Sequence, residues 1–446
     1  MTDTKFFDGV ADVFSLDYEG RGVARVHGKT VFIKGALPTE KVSFRVLREK
    51  KQFSEAETVE VLKESVERVR PACGYYETCG GCSLQHVSPT AQVALKQRIL
   101  EEQLERIGRV KPEQILPPIY GSAWHYRDRA RLSVSVDKKG RLKMGFQAKK
   151  TNEVVDIETC QVLPKHISDV LPMVKLLLQT LSDGGAAVRF VEFFNSRALV
   201  VLNICFIKKP SGYSLKQIET WFDKISGGVK QVWQVWQVWF QYGREPSTAL
   251  YPKDLPELKY GLPEFSIEMP YQPGDFTQIN ADLNAVMISR ALRLLDIQPN
   301  DRVADLFCGL GNFSLPMAKS GASVTGIEGL DSLVLRARQN ALRNSCVKYA
   351  SFEVADLFET DEQTVASWGV FDKMLLDPPR SGAYAVVKSL HAPYLPKKIV
   401  YVSCNPSTFA RDAEVLVNKG YNFKSAGIMN MFAQTSHVES IGVFEL

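Results

Sequence analysis

The chain has 446 residues, of which 45% are hydrophobic and 24% charged, and a formal net charge of +5. That balance excludes a disordered or fibrous protein and predicts two or three globular domains. No apolar run reaches transmembrane length and the first residues lack a signal-peptide core, so a cytoplasmic protein with no membrane partner and no disulfides is expected.

The charge is unevenly spread. Residues 1–150 carry 27 Lys and Arg against 19 Asp and Glu, whereas the remainder carries 28 against 31. A basic front end suggests a polyanion partner such as nucleic acid. Residues 1–66 read as five short strands separated by Glu19-Gly20, His27-Gly28 and Gly35 to Pro38. That spacing predicts a small closed OB-like β-barrel, a type that often binds oligonucleotides.

A cysteine knuckle follows, Cys73-x5-Cys79-x2-Cys82, with Cys160 as a distant fourth thiol. Four thiolates can hold zinc or a 4Fe-4S cluster, and the spacing is irregular for a zinc ribbon. Ser88-Pro89 opens a predicted helix over 89–108 with Leu95, Ile99, Leu100, Leu104 and Ile107 as its apolar stripe. Residues from about 118 to 270 mix strands and helices. Within them, Gln231 to Trp239 is a threefold Gln-Val-Trp repeat whose period fits neither strand nor helix cleanly, and we expect no catalytic meaning in it.

Beyond residue 290 strands and helices alternate, which predicts a Rossmann-like, doubly wound α/β sheet. Asp305-Leu-Phe-Cys-Gly309-Leu-Gly311-Asn312 reads as a strand-to-helix turn, and Glu328 ends the next strand, placed to accept from ribose hydroxyls. The third glycine of a dinucleotide loop is missing, which suits S-adenosylmethionine, a ligand without a phosphate. Asp356 is a candidate adenine contact. Asp377-Pro-Pro-Arg380 is a rigid turn that holds a carboxylate forward, as in methyltransferases acting on planar bases.

Ser403-Cys404-Asn-Pro406 places a thiol at the end of a strand, and His437-Val-Glu439 precedes a terminal apolar run. Carbon-5 of uracil is a poor nucleophile. Addition of the Cys404 thiolate at carbon-6 would make the ring an enolate whose carbon-5 can attack a methyl group. A base, Glu439, would then remove the carbon-5 proton so that the thiol leaves. Inert packing is the plain alternative for a cysteine in an apolar run.

Taken together these motifs make the chain similar to the RNA 5-methyluridine methyltransferase family, in its large-subunit ribosomal RNA branch. The resemblance covers nearly the whole length. It implies a TRAM domain at 1–66, a central α+β domain at 67–270 and a methyltransferase domain at 271–446, with helix 89–108 packed on the last. It implies a 4Fe-4S cluster on Cys73, Cys79, Cys82 and Cys160, in Cys-Gly-Gly-Cys-Ser-Leu-Gln-His86. Gln278, in Phe276-Thr-Gln-Ile-Asn280, would join Phe307, Asn312, Glu328, Asp356 and Asp377 as S-adenosylmethionine contacts. Cys404 and Glu439 fall at the nucleophile and base positions. The implied substrate is 23S ribosomal RNA, bound by a monomer, with Arg127, Arg129 and Arg131 near its path.

Asn430 and Ala433 depart from the family's usual aspartate and proline. Three rivals carry different expectations. An amino-group methyltransferase needs no thiol, a transfer RNA uridine enzyme needs no front barrel, and a non-catalytic iron–sulfur RNA-binding protein needs no donor-contact set.

Overall fold

The computed structural model describes residues 8–196, 199–228, 235–254 and 256–446, with the backbone alone for 225–228. Strands β1 (Gly9–Leu16), β2 (Gly22–Val26), β3 (Lys29–Lys34), β4 (Lys41–Glu49) and β5 (Phe53–Lys63) close into a barrel in the order β1-β2-β3-β5-β4. Their alternation turns Val13, Ala24, Val31, Ile33, Val42, Phe44 and Ala56 inward. At Gly22 an added Cβ would meet Ala36 and Val13 at 2.9 Å, so the closure needs a residue without a side chain there.

After the cysteine segment, α1 (Pro89–Gln103) starts as expected, with Ser88 Oγ accepting from Ala91 N at 3.2 Å and proline in the first turn. It ends in a single π-turn, Leu104–Gly108. Val93, Ile99, Leu100 and Leu104 pack with Phe409, Ala410 and Phe423, so the helix lies against the C-terminal part of the chain. Strand β6 (Gln114–Ile115) also joins that part, pairing parallel with Ser425 and Ala426.

The middle of the chain contains β7 (Arg129–Val136), β8 (Leu142–Gly145), α2 (Lys165–Ser168), α3 (Leu171–Asp183), β9 (Val188–Asn195), β10 (Leu199–Phe206), α4 (Gly212–Gly228), β11 (Val235–Tyr242) and β12 (Thr248–Tyr251). Its sheet order is β12-β11-β10-β9-β7-β8. Val235 to Trp239 of the Gln-Val-Trp repeat are strand residues of β11. Trp236 meets the Phe193 ring edge-on, and Trp239 Nε1 donates to Gln237 Oε1 at 2.7 Å. Gln231 to Gln234 lie outside the described residues. A hairpin of β13 (Lys259–Leu262) and β14 (Ile267–Pro270) leads on.

The C-terminal region runs α5 (Ala281–Leu295), β15 (Arg302–Leu306), α6 (Ser314–Lys319), β16 (Ser323–Glu328), α7 (Asp331–Arg343), β17 (Ala350–Val354), α8 (Glu362–Trp368), β18 (Lys373–Leu376), α9 (Tyr384–Ser389), β19 (Lys398–Ser403), α10 (Pro406–Asn418), β20 (Asn422–Met429) and β21 (Glu439–Glu445). The sheet order is β17-β16-β15-β18-β19-β21-β20-β6. Strands β15 to β19 are parallel, with apolar layers on each face. The last strand departs from a purely parallel sheet. β21 returns from β20 through residues 430–438 and inserts antiparallel between β19 and β20. Among the described residues no helix is long and apolar enough to cross a membrane.

Candidate active site

Parallel strands leave their carboxyl ends on one edge, and the switch between β15 and β18 opens a crevice there. The chain leaves β15 through Phe307, whose φ of 63° is unusual for a side-chain-bearing residue. Gly309 and Gly311 continue at φ 56° and 94°. The register sets Asp305 opposite Gly326 and brings Glu328 level with this turn. Glu328 accepts from Gly309 N at 3.1 Å and from Leu330 N at 3.2 Å, so its carboxylate braces the glycine loop. Asn312 is held by Tyr260, whose hydroxyl donates at 2.8 Å, and by a reciprocal amide pair with Asn284.

Asp356 is exposed, two residues past β17, and accepts from Phe358 N at 2.9 Å. The Phe358 ring lies 5.7 Å from that of Phe307, so these residues share one rim. Gln278 is half-buried in the extended segment before α5. Asp128 fixes that segment through its own amide to the Ile279 carbonyl and its carboxylate to Ala281 N.

The thiol and two carboxylates meet beside the loop. Ser403 pairs with Ser440 across β19 and β21, which sets Cys404 against Glu439 at the next position. Cys404 is half-buried. Burial, with the charges of Glu439 and Asp377, pushes its thiol up to about 12, and Arg380 opposes this. Glu439 is 2% exposed, and burial, helped by Asp377, holds its carboxyl well above the usual range. Burial also pushes Asp377 up to about 7. Asp305 rises to about 7 for the same cause, although Ser314 donates to it. Burial therefore raises three acids and a thiol in this crevice, and a cation bound beside them would lower all four.

Arg380 faces the thiol and contacts the His437 ring at 3.1 Å. Burial and the Arg380 charge hold His437 down at about 4, so this imidazole stays neutral.

Cys73, Cys79, Cys82 and Cys160 line one cavity of about 370 Å³, together with Arg127, Phe432 and His437. Burial raises Cys79 and Cys160, and lifts Cys82 to about 12; the other thiols add to each shift. Opposing donors surround them. Gly81 N lies 3.4 Å from Cys79 Sγ, Gln85 faces Cys82, and the amides of Val162 and Leu163 face Cys160. A donor set of this kind favours thiolates once a cation compensates their charge. Among the described residues, no group of three or more His, Cys, Asp or Glu side chains is gathered so as to hold a metal ion.

Arg129 and Arg131 are both engaged, although Arg131 keeps an exposed side chain. Arg129 donates to the Asp275 carbonyl at 2.8 Å and lies over Phe194. Arg131 is bound to the buried Glu192 at 2.9 Å and lies over Phe190. Sequence reasoning missed Tyr260, Asn284 and Asp128, which hold the ligand loops from outside the motifs. Asn284 alone left a local trace, as a buried polar residue in the first turn of an otherwise apolar-faced helix.

Residues 262–445 match the family model described as tRNA (Uracil-5-)-methyltransferase, and residues 11–59 match the TRAM domain. The 23S rRNA (uracil(1939)-C(5))-methyltransferase RlmD of Neisseria lactamica is 63% identical over 437 residues, covering 98% of this chain and 95% of that protein. The protein of the same description from Chromobacterium violaceum is 48% identical over 440 residues, covering 98% and 84%. Among solved structures, Pyrococcus abyssi tRNA (uracil-54, C5)-methyltransferase in complex with S-adenosyl-L-homocysteine superposes with a TM-score of 0.69. It is 23% identical and covers 98% of this chain and 100% of that one, a likeness of fold.

Proposed function

The chain belongs to the RNA uracil-5-methyltransferase family, and from that premise we propose that it methylates carbon-5 of a uridine in 23S ribosomal RNA, with S-adenosylmethionine as donor and Cys404 as a transient covalent anchor. The observation that carries this reading is the β19–β21 register, which sets Cys404 beside Glu439 with Asp377 next to both. The substrate named for the relative that is 63% identical supports the choice of RNA.

The loop of Phe307 to Asn312, with Glu328, Asp356, Asp377 and Gln278, forms the donor side. When bound, the donor supplies an electrophilic methyl on a cationic sulfur, whose charge offsets the like-charge repulsion among the acids. Cys404, as thiolate, adds to carbon-6 of the flipped uracil, and the electron pair moves through carbon-5 to the carbon-4 oxygen. Carbon-5 would then take the methyl group as the sulfur–methyl bond breaks and S-adenosylhomocysteine leaves, and carbon-5 still carries its proton. Glu439, as carboxylate, removes that proton; the ring double bond reforms and the Cys404 bond breaks. Its burial suits this step, because a carboxylate in a dry site is a stronger base than one in water.

The four cysteines would hold a 4Fe-4S cluster. The support is that all four cysteines line one cavity and that amide donors are aimed at the sulfurs. The chemistry above transfers no electrons, so the cluster's role would be to shape the fold around the RNA path. The barrel and the basic segment before residue 150 would grip the RNA backbone.

Ribosomal RNA carrying 5-fluorouridine tests the reading. Fluorine cannot leave as a proton, so methylated RNA should remain bonded to the protein on a denaturing gel, and Cys404→Ala should abolish the bond. A wild-type protein that methylates ordinary RNA yet forms no trapped complex would sink the covalent route. Iron and sulfide content after anaerobic purification tests the cluster against zinc.

A further inference from the structure

Residues 430–438, which connect β20 to Glu439, are gripped by two side chains that the chemistry above does not use. Lys96 and Gln92 stand one turn apart on α1, and each has 0% exposure. Lys96 Nζ donates to Asn430 Oδ1 at 2.7 Å and to the Phe432 carbonyl at 2.9 Å. Gln92 Oε1 accepts from Gln434 N at 2.8 Å, and its Nε2 donates to Gln434 Oε1 at 3.0 Å. The same Nε2 reaches the carbonyls of Leu84 and Val87. From the opposite side, Ser83 N and Leu84 N donate to the Gln434 carbonyl, and Ser436 N donates to Ser83 Oγ. Tyr126 completes the grip through the Ala433 carbonyl at 2.7 Å.

An enclosed lysine amine, charged or neutral, is an expensive way to fill space. An apolar side chain of equal length would pack there without a desolvation penalty. Among the described residues Lys96 has no carboxylate as an ion-pair partner, and burial lowers its titration. What the amine provides is geometry, because it ties one amide oxygen and one carbonyl of the same loop to a helix that is itself packed on α10. Met429 pairs directly with Glu439, so the loop begins and ends at the base.

We propose that Lys96, backed by Gln92, is a positioning residue for the methyl transfer cycle: it fixes the 430–438 loop and so sets the Glu439 carboxyl against carbon-5 of the substrate ring. This rests on reading Glu439 as the base. Proton removal is the last step before the thiol leaves. A displaced Glu439 therefore stalls the cycle with the methyl group already transferred and the Cys404–carbon-6 bond intact. A purely structural role for Lys96 would not produce that stalled species.

The test uses the full chain, purified anaerobically, with ordinary uridine RNA and S-adenosylmethionine. It measures kcat, KM for RNA, donor affinity and the fraction of protein bonded to RNA on a denaturing gel. Glu439→Gln is the control and should accumulate the bonded, methylated complex. Lys96→Met should do the same, with kcat lower by about 10- to 100-fold, the cost of a misplacement near 1 Å, and with KM and donor affinity unchanged. If Glu439→Gln accumulates no complex, the base assignment fails whatever Lys96 does. If Glu439→Gln accumulates it and Lys96→Met turns over normally, or slows without it, the positioning role is overturned. Asn430→Ala, which keeps Lys96 and removes its acceptor, reads the same contact should Lys96→Met not fold; a normal rate there overturns the role too.

Discussion

The crevice and the cysteine cavity are built in opposite ways. The chief groups of the crevice sit at strand ends: Phe307 just after β15, Glu328 as the last residue of β16, Asp377 just after β18, Cys404 just after β19 and Glu439 as the first residue of β21. The sheet aligns them because parallel strands end together. The cysteine cavity has no such frame. It draws on residues 73–85, on 127, on 157–162 and on 432–437, which meet only because loops from three parts of the chain fold onto one another. Chemistry placed by a sheet follows from local motifs, whereas chemistry placed by loops depends on the anchors of those loops.

The largest effects should come from the strand-end groups. Cys404→Ala should leave no measurable methyl transfer and no RNA-bonded species while donor affinity, measured by calorimetry, stays intact. Glu439→Gln should lower kcat by about 10²- to 10⁴-fold, the usual worth of a positioned proton-transfer group. If either variant kept near-normal turnover, the thiol–carboxyl pair would be packing and the contrast would fail.

Cys160→Ser should come next, because Cys160 is the cysteine farthest along the chain from the other three. Its loss should release iron from the anaerobically purified protein and lower its melting temperature, with a smaller kcat effect than Glu439→Gln. Retention of a full iron complement would show that Cys160 is not a ligand.

These two cases also show what was legible in the chain. The barrel, the alternation beyond residue 290, the glycine turn and the Cys404–Glu439 pair each rest on short-range signals: alternating apolar residues, turn residues and strand ends. The antiparallel insertion of β21 was only hinted at by the apolar run after Glu439. The latch that Lys96 and Gln92 form on the 430–438 loop left no signal, since both look like ordinary solvated positions on α1. Their burial is decided by a loop more than three hundred residues away. Arg129 and Arg131 were legible in a different measure: their charge was plain in the chain, whereas their engagement with Glu192, the Asp275 carbonyl and two aromatic rings was not.

The buried acids should also mark stability. Burial raises the Glu439 carboxyl in the folded state, so the unfolded chain loses this proton at a lower pH than the folded one. The folded state is then favoured most below the ordinary carboxylate range and loses that advantage as pH rises. Asp377 and Asp305 act in the same sense, over the window from the ordinary aspartate value to about 7. Glu439→Gln should therefore melt higher than the wild type at pH 7 to 8 and converge with it near pH 4. Function is here gained against stability. A melting-temperature gap independent of pH would mean that Glu439 is ionised in the folded protein.

The smallest effect belongs to Asn430. Burial holds Lys96 down at about 7 against an ordinary lysine value near 10.5. Between those values the unfolded chain carries a proton that the folded protein lacks, so stability rises with pH there, by at most about 1.4 kcal/mol per pH unit. Asn430→Asp would place a carboxylate at the atom that now accepts from Lys96, which raises the lysine back toward its ordinary value. The desolvation of a second ion largely cancels the attraction, so the net change in stability at neutral pH should be small. The difference in slope is the discriminating quantity: the other buried groups act alike in both proteins, so from pH 7 to 10 the denaturant midpoint of the wild type should rise relative to that of Asn430→Asp. Turnover should change little, because the new pair holds the loop where the old one did. Equal slopes would show that the missing counter-charge does not shape Lys96, and the latch would then be a matter of hydrogen-bond geometry alone.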